Sequence, residues 1–244
     1  MTVLRIATYN IHKGVQGIGP LKRLEIHNLG AAVAQFDADM VCLQEVRKMH
    51  RREALHFPHW PDMPQADFLA PAGYEAVYRT NAITRHGEHG NALLSRWPVL
   101  SHQQEDMSDH RFEQRGLLHA EVAVQGKGLH VVVVHLGLIR ASRMRQVAQL
   151  QRFIEREVPV DAPLVVAGDF NEWGTHVKRA LAASHLIAYE GQAHPTFPAR
   201  LPLVQFDYVF ARGLRPIGVQ VPRGKMWWSM SDHLPLIAEF TWPD

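Results

Sequence analysis

The chain has 244 residues, of which 46% are hydrophobic and 20% charged. That is the composition of a folded domain and it excludes a disordered tail. Lys and Arg number 26 against 24 Asp and Glu, an excess too small to announce a nucleic-acid binder without a clustered basic face. Cys42 is the single cysteine, which excludes an internal disulfide and suits a reducing compartment. No basic-then-apolar leader is visible and the longest strongly apolar run is Val131–Val134, so a cytoplasmic protein without a membrane span is expected.

In chain order, Leu4–Tyr9 reads as a strand. Leu21–Phe36 has helical spacing, with Leu21, Leu24, Leu29, Val33 and Phe36 apolar. Met40–Leu43 is a short buried strand. Residues 48–72 carry Pro58, Pro61, Pro64 and Pro71 and read as irregular surface with one short helix. Tyr74–Tyr78, Ala92–Ser95 and Leu117–Val124 follow as strands. Gln125–Gly128 turns the chain into Leu129–Val134, completing a hairpin. Ser142–Val158 is a helix with a basic outer face, Pro163–Ala167 a strand, and Val177–Leu186 contains a helix. Phe206–Ala211, Ile217–Val221 and Leu236–Thr241 close the chain as strands. No repeat, low-complexity tract or linker divides it, so residues 1–244 are expected to form one catalytic domain. Val131–Val134 and Leu164–Ala167 are apolar throughout, which requires burial on both faces. Two packed sheets with helices outside follow.

The polar residues fall where these strands stop. Strands run into Asn10, Glu45, His135 and Asp169, with Asn171 two residues further, and other strands run out of Asp207 and of Asp232-His233. If neighbours of opposite direction lie side by side, all of these collect at one mouth. The carboxylates and amides offer hard oxygen atoms suited to Mg²⁺ or Mn²⁺, and the histidines offer N–H donors for an anionic oxygen. That is an inventory for cleaving phosphoesters.

The segments Thr8-Tyr9-Asn10, Leu43-Gln44-Glu45, Gly90–Ser95, Val134-His135-Leu136, Gly168-Asp169-Phe170-Asn171, Phe206-Asp207-Tyr208 and Ser231-Asp232-His233 together resemble the endonuclease/exonuclease/phosphatase superfamily, in its order and over nearly the whole chain. The resemblance implies a four-layer α/β/β/α sandwich of two mixed, largely antiparallel sheets. It implies Glu45, with Asn10 alongside, around a divalent cation, Asp232 as a metal-side or histidine-polarising carboxylate, Asp169 activating water, Asn171 orienting that water or the phosphate, and His233, held by Asp207, stabilising the developing charge. Asn91 is then expected near substrate. His135 stands where repair nucleases of the superfamily carry tyrosine, and is closer to the sphingomyelinase, deoxyribonuclease I and phosphatase branches. His12 sits where repair enzymes of the superfamily often have an acidic residue, which puts a second metal ligand in doubt. The opening Thr-Tyr-Asn-Ile-His-Lys-Gly also resembles stand-alone bacterial members.

The expected activity is metal-dependent hydrolysis of a phosphodiester or phosphomonoester, with a phospholipid or small phosphoester as substrate and peripheral membrane contact open to it. Alternatives are a nuclease acting on DNA or RNA and a non-catalytic module that binds a phosphorylated ligand. Arg115 is a candidate phosphate clamp. Trp227-Trp228 offers either an aromatic surface for a base or lipid, or a hydrophobic plug. Arg140, Arg143 and Arg145 read as a solvated helix face, His86 and His89 as a mobile polar loop, and His50, His56 and His59 as surface. Cys42 reads as a packed small hydrophobe.

Overall fold

The computed structural model describes residues 3–243. The first sheet holds six strands: β1 (Val3–Asn10), β4 (Met40–His50), β5 (Glu75–Thr84), β6 (Gly87–Ser95), β12 (Arg215–Gln220) and β13 (Leu236–Thr241), in the order β12-β13-β1-β4-β6-β5. The second holds five: β7 (Val99–Asp106), β8 (Gly116–Val124), β9 (Lys127–His135), β10 (Leu164–Asp169) and β11 (Asp207–Arg212), in the order β11-β10-β9-β8-β7. Two short strands, β2 (Val15–Gln16) and β3 (Arg23–Leu24), make a separate ribbon. Only β1–β4 and β9–β10 pair in parallel within the two large sheets.

The apolar runs are explained by burial on both faces. Val131 and Val133 point into the core between the sheets, with Ile6, Cys42, Leu93 and Val165. Val132 and Val134, on the opposite face, pack with Val147, Leu150 and Phe153 of helix α4 (Arg140–Glu157). On the outside of the first sheet, Ala7, Tyr9, Val41 and Leu43 pack with Leu29 and Val33 of helix α1 (Ile26–Gln35). Four layers result, as the resemblance implied. No helix among the described residues is long and apolar enough to cross a membrane.

Several boundaries move. Helix α1 begins at Ile26, not Leu21; Leu21 is exposed in a 3₁₀ turn that leads into β3. Strand β4 runs to His50 because β6 pairs with it as far as Gly87, so the expected strand at 40–43 is only its first part. His86 and His89 belong to the β5–β6 hairpin and not to a loose loop. Residues 51–72 contain two short helices, α2 (Arg51–His56) and α3 (Gln65–Leu69). Edge strand β7 was not expected: Ser101–Asp106 is polar throughout, as an edge exposed to water permits. Helix α5 spans His176–Ala182 and helix α6 Lys225–Met230; α6 lies where only a loop was expected.

Register brings the polar strand ends together. Asp169 is opposite His135 on β9 and Asp207 on β11. Across the first sheet Asn10 is opposite Gln44, and Thr8 opposite Leu236. The ends of β1, β9 and β10, the Gln44–Glu45 point of β4 and the starts of β11 and β13 therefore share one rim.

Candidate active site

Asp169 is the hub of that rim and is 1% exposed. Its Oδ2 receives Asn10 Nδ2 at 3.1 Å and lies 3.4 Å from His135 Nε2 and 3.5 Å from His233 Nε2. Its Oδ1 accepts the Asn171 backbone N–H at 3.0 Å. His233 Nδ1 is 2.9 Å from Asp207 Oδ2. The ring of His233 is flanked by Phe197 and Phe206, with centroids at 5.0 and 6.1 Å. Behind it, Ser231 Oγ donates to Asn10 O at 2.6 Å and accepts the His233 N–H at 3.2 Å, fixing the Ser-Asp-His turn to the end of β1.

The local backbone is bent to make this meeting possible. Seven non-glycine residues among those described have positive φ, and four of them, His12, Lys13, Glu45 and Asn171, lie at this rim. Backbone strain of this kind gathers at functional sites because surrounding structure must hold it in place. Glu45 sits in an irregularity of β4: Leu43 pairs with Ala92 and Val46 with Gly90, so Gln44 and Glu45 face the single residue Asn91. The extra residue turns the Glu45 side chain toward the mouth. Gly168 has φ of 155°, and a Cβ there would stand 1.9 Å from Val134 O, so only glycine lets β10 approach β9 just before Asp169.

Two further carboxylates stand at the rim, each facing a basic side chain from the turn after β1. Lys13 Nζ is 2.6 Å from Glu45 Oε2, and His12 Nδ1 is 3.1 Å from Asp232 Oδ1. Burial favours a neutral Glu45, but the Lys13 ammonium outweighs it and holds the carboxyl well below the usual range. Asp232 is also lowered: burial opposes this, and the His12 hydrogen bond and His233 prevail. Asp169 behaves oppositely. Burial, reinforced by Asp207, raises its carboxyl above the ordinary value despite His233 and the Asn10 hydrogen bond. Burial disfavours the charged His233 ring, yet Asp207 and Asp169 together raise it well above the free imidazole. His135 is pushed down, by burial first and then by Arg115. The mouth thus contains ionised carboxylates, a proton-binding carboxylate, a charged imidazole and a neutral one.

This chemistry fits a divalent cation. Glu45 and Asp232 are ionised oxygen donors in a part-buried setting that calls for positive charge. Asp169, Asp207 and His233 also present ligand atoms within 4.8 Å of one another. Both nitrogens of His233 already face carboxylates, however, Nδ1 that of Asp207 and Nε2 that of Asp169. Asn10 presents its N–H₂ to Glu45 and Asp169, while its Oδ1 accepts the His12 N–H at 3.1 Å.

The other sequence-derived residues divide. Arg115 reaches the rim, with Nε donating to Leu136 O at 3.3 Å and Nη2 paired to Glu113. Asn91 is fully buried and donates to Gly116 O and Val133 O at 2.9 and 3.1 Å; in place of the expected substrate contact it ties the two sheets together. Arg143 is not a solvated residue. It is 2% exposed and its Nη1 holds the carbonyls of Gly137 and Leu138 beyond His135. Trp227 is a plug: 8% exposed, stacked on Phe36 at 5.8 Å in the core beneath α1. Trp228 is half-buried under the Arg200 guanidinium. Trp227→Ala is expected to lower stability by about 3–5 kcal/mol without changing kcat; a denaturation curve and kinetics on the folded fraction check it.

Sequence reasoning missed Lys13, although it lies three residues after Asn10. It also missed Trp173, which is 67% exposed at the rim and packs edge-on against Phe206 at 5.0 Å. Its adjacency to Gly-Asp-Phe-Asn was the available signal.

Comparison with known proteins agrees with this geometry. The model of the Endonuclease/Exonuclease/phosphatase family matches residues 7–233. The uncharacterized Escherichia coli protein YbhP is 36% identical over 243 residues, covering 96% of this chain and 95% of its own length. Among solved structures, an endonuclease/exonuclease/phosphatase from Beutenbergia cavernae superposes with a TM-score of 0.78 at 22% identity, covering 98% of this chain and 72% of that one. Danio rerio TDP2 complexed with a single-strand DNA product has a TM-score of 0.70 at 18% identity, covering 99% and 100%.

Proposed function

This chain belongs to the endonuclease/exonuclease/phosphatase family, whose members are generally divalent-metal-dependent hydrolases of phosphoester bonds, and from that premise we propose that it hydrolyses a phosphodiester by attack of water on phosphorus. The observation that carries the proposal is the convergence on Asp169 Oδ2 of Asn10, His135 and His233, contributed by strand ends from both sheets.

Asp169 accepts a proton from the attacking water, a role suited to a buried carboxylate with a raised proton affinity. Asn171, fixed by its contact with Leu136 O at 2.9 Å, orients that water. As the new P–O bond forms and the bond to the leaving oxygen breaks, charge on the non-bridging oxygens is met by His233, kept protonated by Asp207, and by the N–H of His135. Glu45 and Asp232, with the Asn10 amide alongside, would hold the Mg²⁺ or Mn²⁺. When bound, such a cation supplies Lewis-acid polarisation of the phosphoryl group.

The catalytic reading is favoured over a module that only binds phosphorylated ligands, because every carboxylate the chemistry needs is present and aimed at one space. Burial of Trp227 removes half of the aromatic pair that favoured a lipid substrate. A nucleic acid is the second reading, favoured by the fold shared with a protein bound to a DNA product.

Turnover of bis-p-nitrophenyl phosphate should require Mg²⁺ or Mn²⁺, and Glu45→Gln should raise the half-saturating metal concentration by about 10–100-fold, by analogy with the loss of one metal-site contact. Full turnover by wild-type protein after exhaustive chelation would overturn the proposal.

A further inference from the structure

Beyond the catalytic rim, strand β4 continues for five residues after Glu45 and, with the β5–β6 hairpin, helix α2 and the turn before β3, lines an open cavity of about 770 Å³. Its walls include Lys22, Arg47, His50, Arg52, His56 and His86. Against these stands one carboxylate, Glu53, which is already engaged: it is 6% exposed and its Oε1 lies 2.7 Å from Lys22 Nζ. Three permanent cations therefore face a single acid, and three imidazoles add ring nitrogens that can donate hydrogen bonds.

One of these cations, whose guanidinium lies over the Trp60 ring at 5.8 Å, carries a buried donor with no hydrogen-bond acceptor. Arg47 is 9% exposed, yet its buried Nη1 makes no hydrogen bond, and the nearest carboxylate oxygen, on Glu53, is 3.9 Å away. A buried guanidinium donor of this kind costs free energy unless something accepts from it. Its planar fork suits phosphate oxygens.

The cavity is also joined to the catalytic mouth. Arg47 is two residues from Glu45, or about 7 Å along an extended strand, and His50 about 16 Å. Gln65 stitches the two together: its Nε2 donates to Lys13 O at 2.9 Å, and its Oε1 accepts the Arg47 N–H at 2.8 Å. The backbone at Lys13, beside the mouth, and at Arg47, in the cavity wall, is thus held in one frame.

We propose that this cavity binds a further phosphate group of the substrate, one separated from the scissile phosphoester along an extended molecule. The inference rests on the phosphodiesterase reading for its assignment to the substrate, though not for the binding of phosphate itself. Arg52 and His56 are exposed on α2 and form no ion pair among the described residues, so they can be changed without leaving a buried charge unpaired.

The test has two arms. In the first, metal-free protein is titrated with tripolyphosphate by calorimetry, with the histidine ring resonances followed by NMR. Wild-type protein should bind one equivalent and shift the His50 and His86 signals, and Arg52→Glu should weaken binding at least ten-fold. Failure to bind, or binding that Arg52→Glu leaves unchanged, overturns the site. In the second arm, Mg²⁺-loaded enzyme is assayed with bis-p-nitrophenyl phosphate and with a p-nitrophenyl ester of tetrathymidylate. Arg52→Glu should leave the first substrate unaffected and raise KM for the second at least five-fold with kcat retained. If tripolyphosphate binds in the cavity but that KM does not move, the cavity takes a separate anion and its assignment to substrate is wrong. If wild-type enzyme turns over neither ester, the phosphodiesterase reading fails with it, and the first arm still decides whether phosphate binds.

Discussion

Asp169→Asn is expected to lower kcat for bis-p-nitrophenyl phosphate by roughly ten-thousand-fold, the upper end for loss of a positioned general base, while the protein stays folded. The size follows from position. Asp169 is the one residue reached from Asn10, His135 and His233 together, so no neighbour can take over its contact with the water. The expected effect on stability has the opposite sign. Because burial raises the folded-state carboxyl above its unfolded value, the folded protein binds that proton more tightly than the unfolded chain does, and ionisation at neutral pH opposes folding. An amide removes the opposition, so the melting temperature should hold or rise, the usual relation between a strained active site and stability. Single-turnover kinetics with thermal unfolding decide it. Residual activity near wild type would move the general-base role to another carboxylate.

Asp207→Asn is expected to cost about 10²–10³-fold in kcat, the loss associated with one donor to a developing oxyanion, and to shift the alkaline limb of the pH–rate profile downward. Asp207 is fully buried and its Oδ2 is 2.9 Å from His233 Nδ1. Against the opposing effect of burial, Asp207 is the largest contribution raising the His233 ring above a free imidazole. With the protonated ring as donor, activity persists as pH rises until the raised value is passed. Removing the carboxylate returns that limb toward the free histidine value of about 6.5. The same sign governs stability. The pair stabilises the fold fully below the unfolded histidine value, and that contribution is lost as pH rises through the higher folded value. An alkaline limb that stays in place in Asp207→Asn would show that His233 does not act as the charged donor.

Two features of the mouth bear on how the cation is received. Lys13 and His12 face Glu45 and Asp232, so binding a divalent ion there must displace or share these contacts. Both residues have positive φ, which fixes them close to the carboxylates through the backbone and not only through flexible side chains.

The layers, most strands and the residues of the rim were set by the sequence, for reasons that are local. Runs such as Val131–Val134 and Leu164–Ala167 can satisfy their side chains only between two covering layers, and polar residues at strand ends have nowhere to go but the rim. Cys42 inside an apolar strand could be read as packing, and it is fully buried. What the tertiary structure alone decided depends on pairing between distant segments. The length of β4 comes from β6, which shares its register to Gly87. The polar strand β7 exists because β8 offers it an edge, not because of its own pattern. Trp227 became a plug because Phe36, 191 positions earlier, lies beneath it. Asn91 sits in a motif expected near substrate, but the second sheet passes close enough to take both its hydrogens. Side-chain type and periodicity report what a residue must bury or solvate. They do not report which remote backbone will be there to meet it, and that meeting divides substrate contacts from structural ties at this rim.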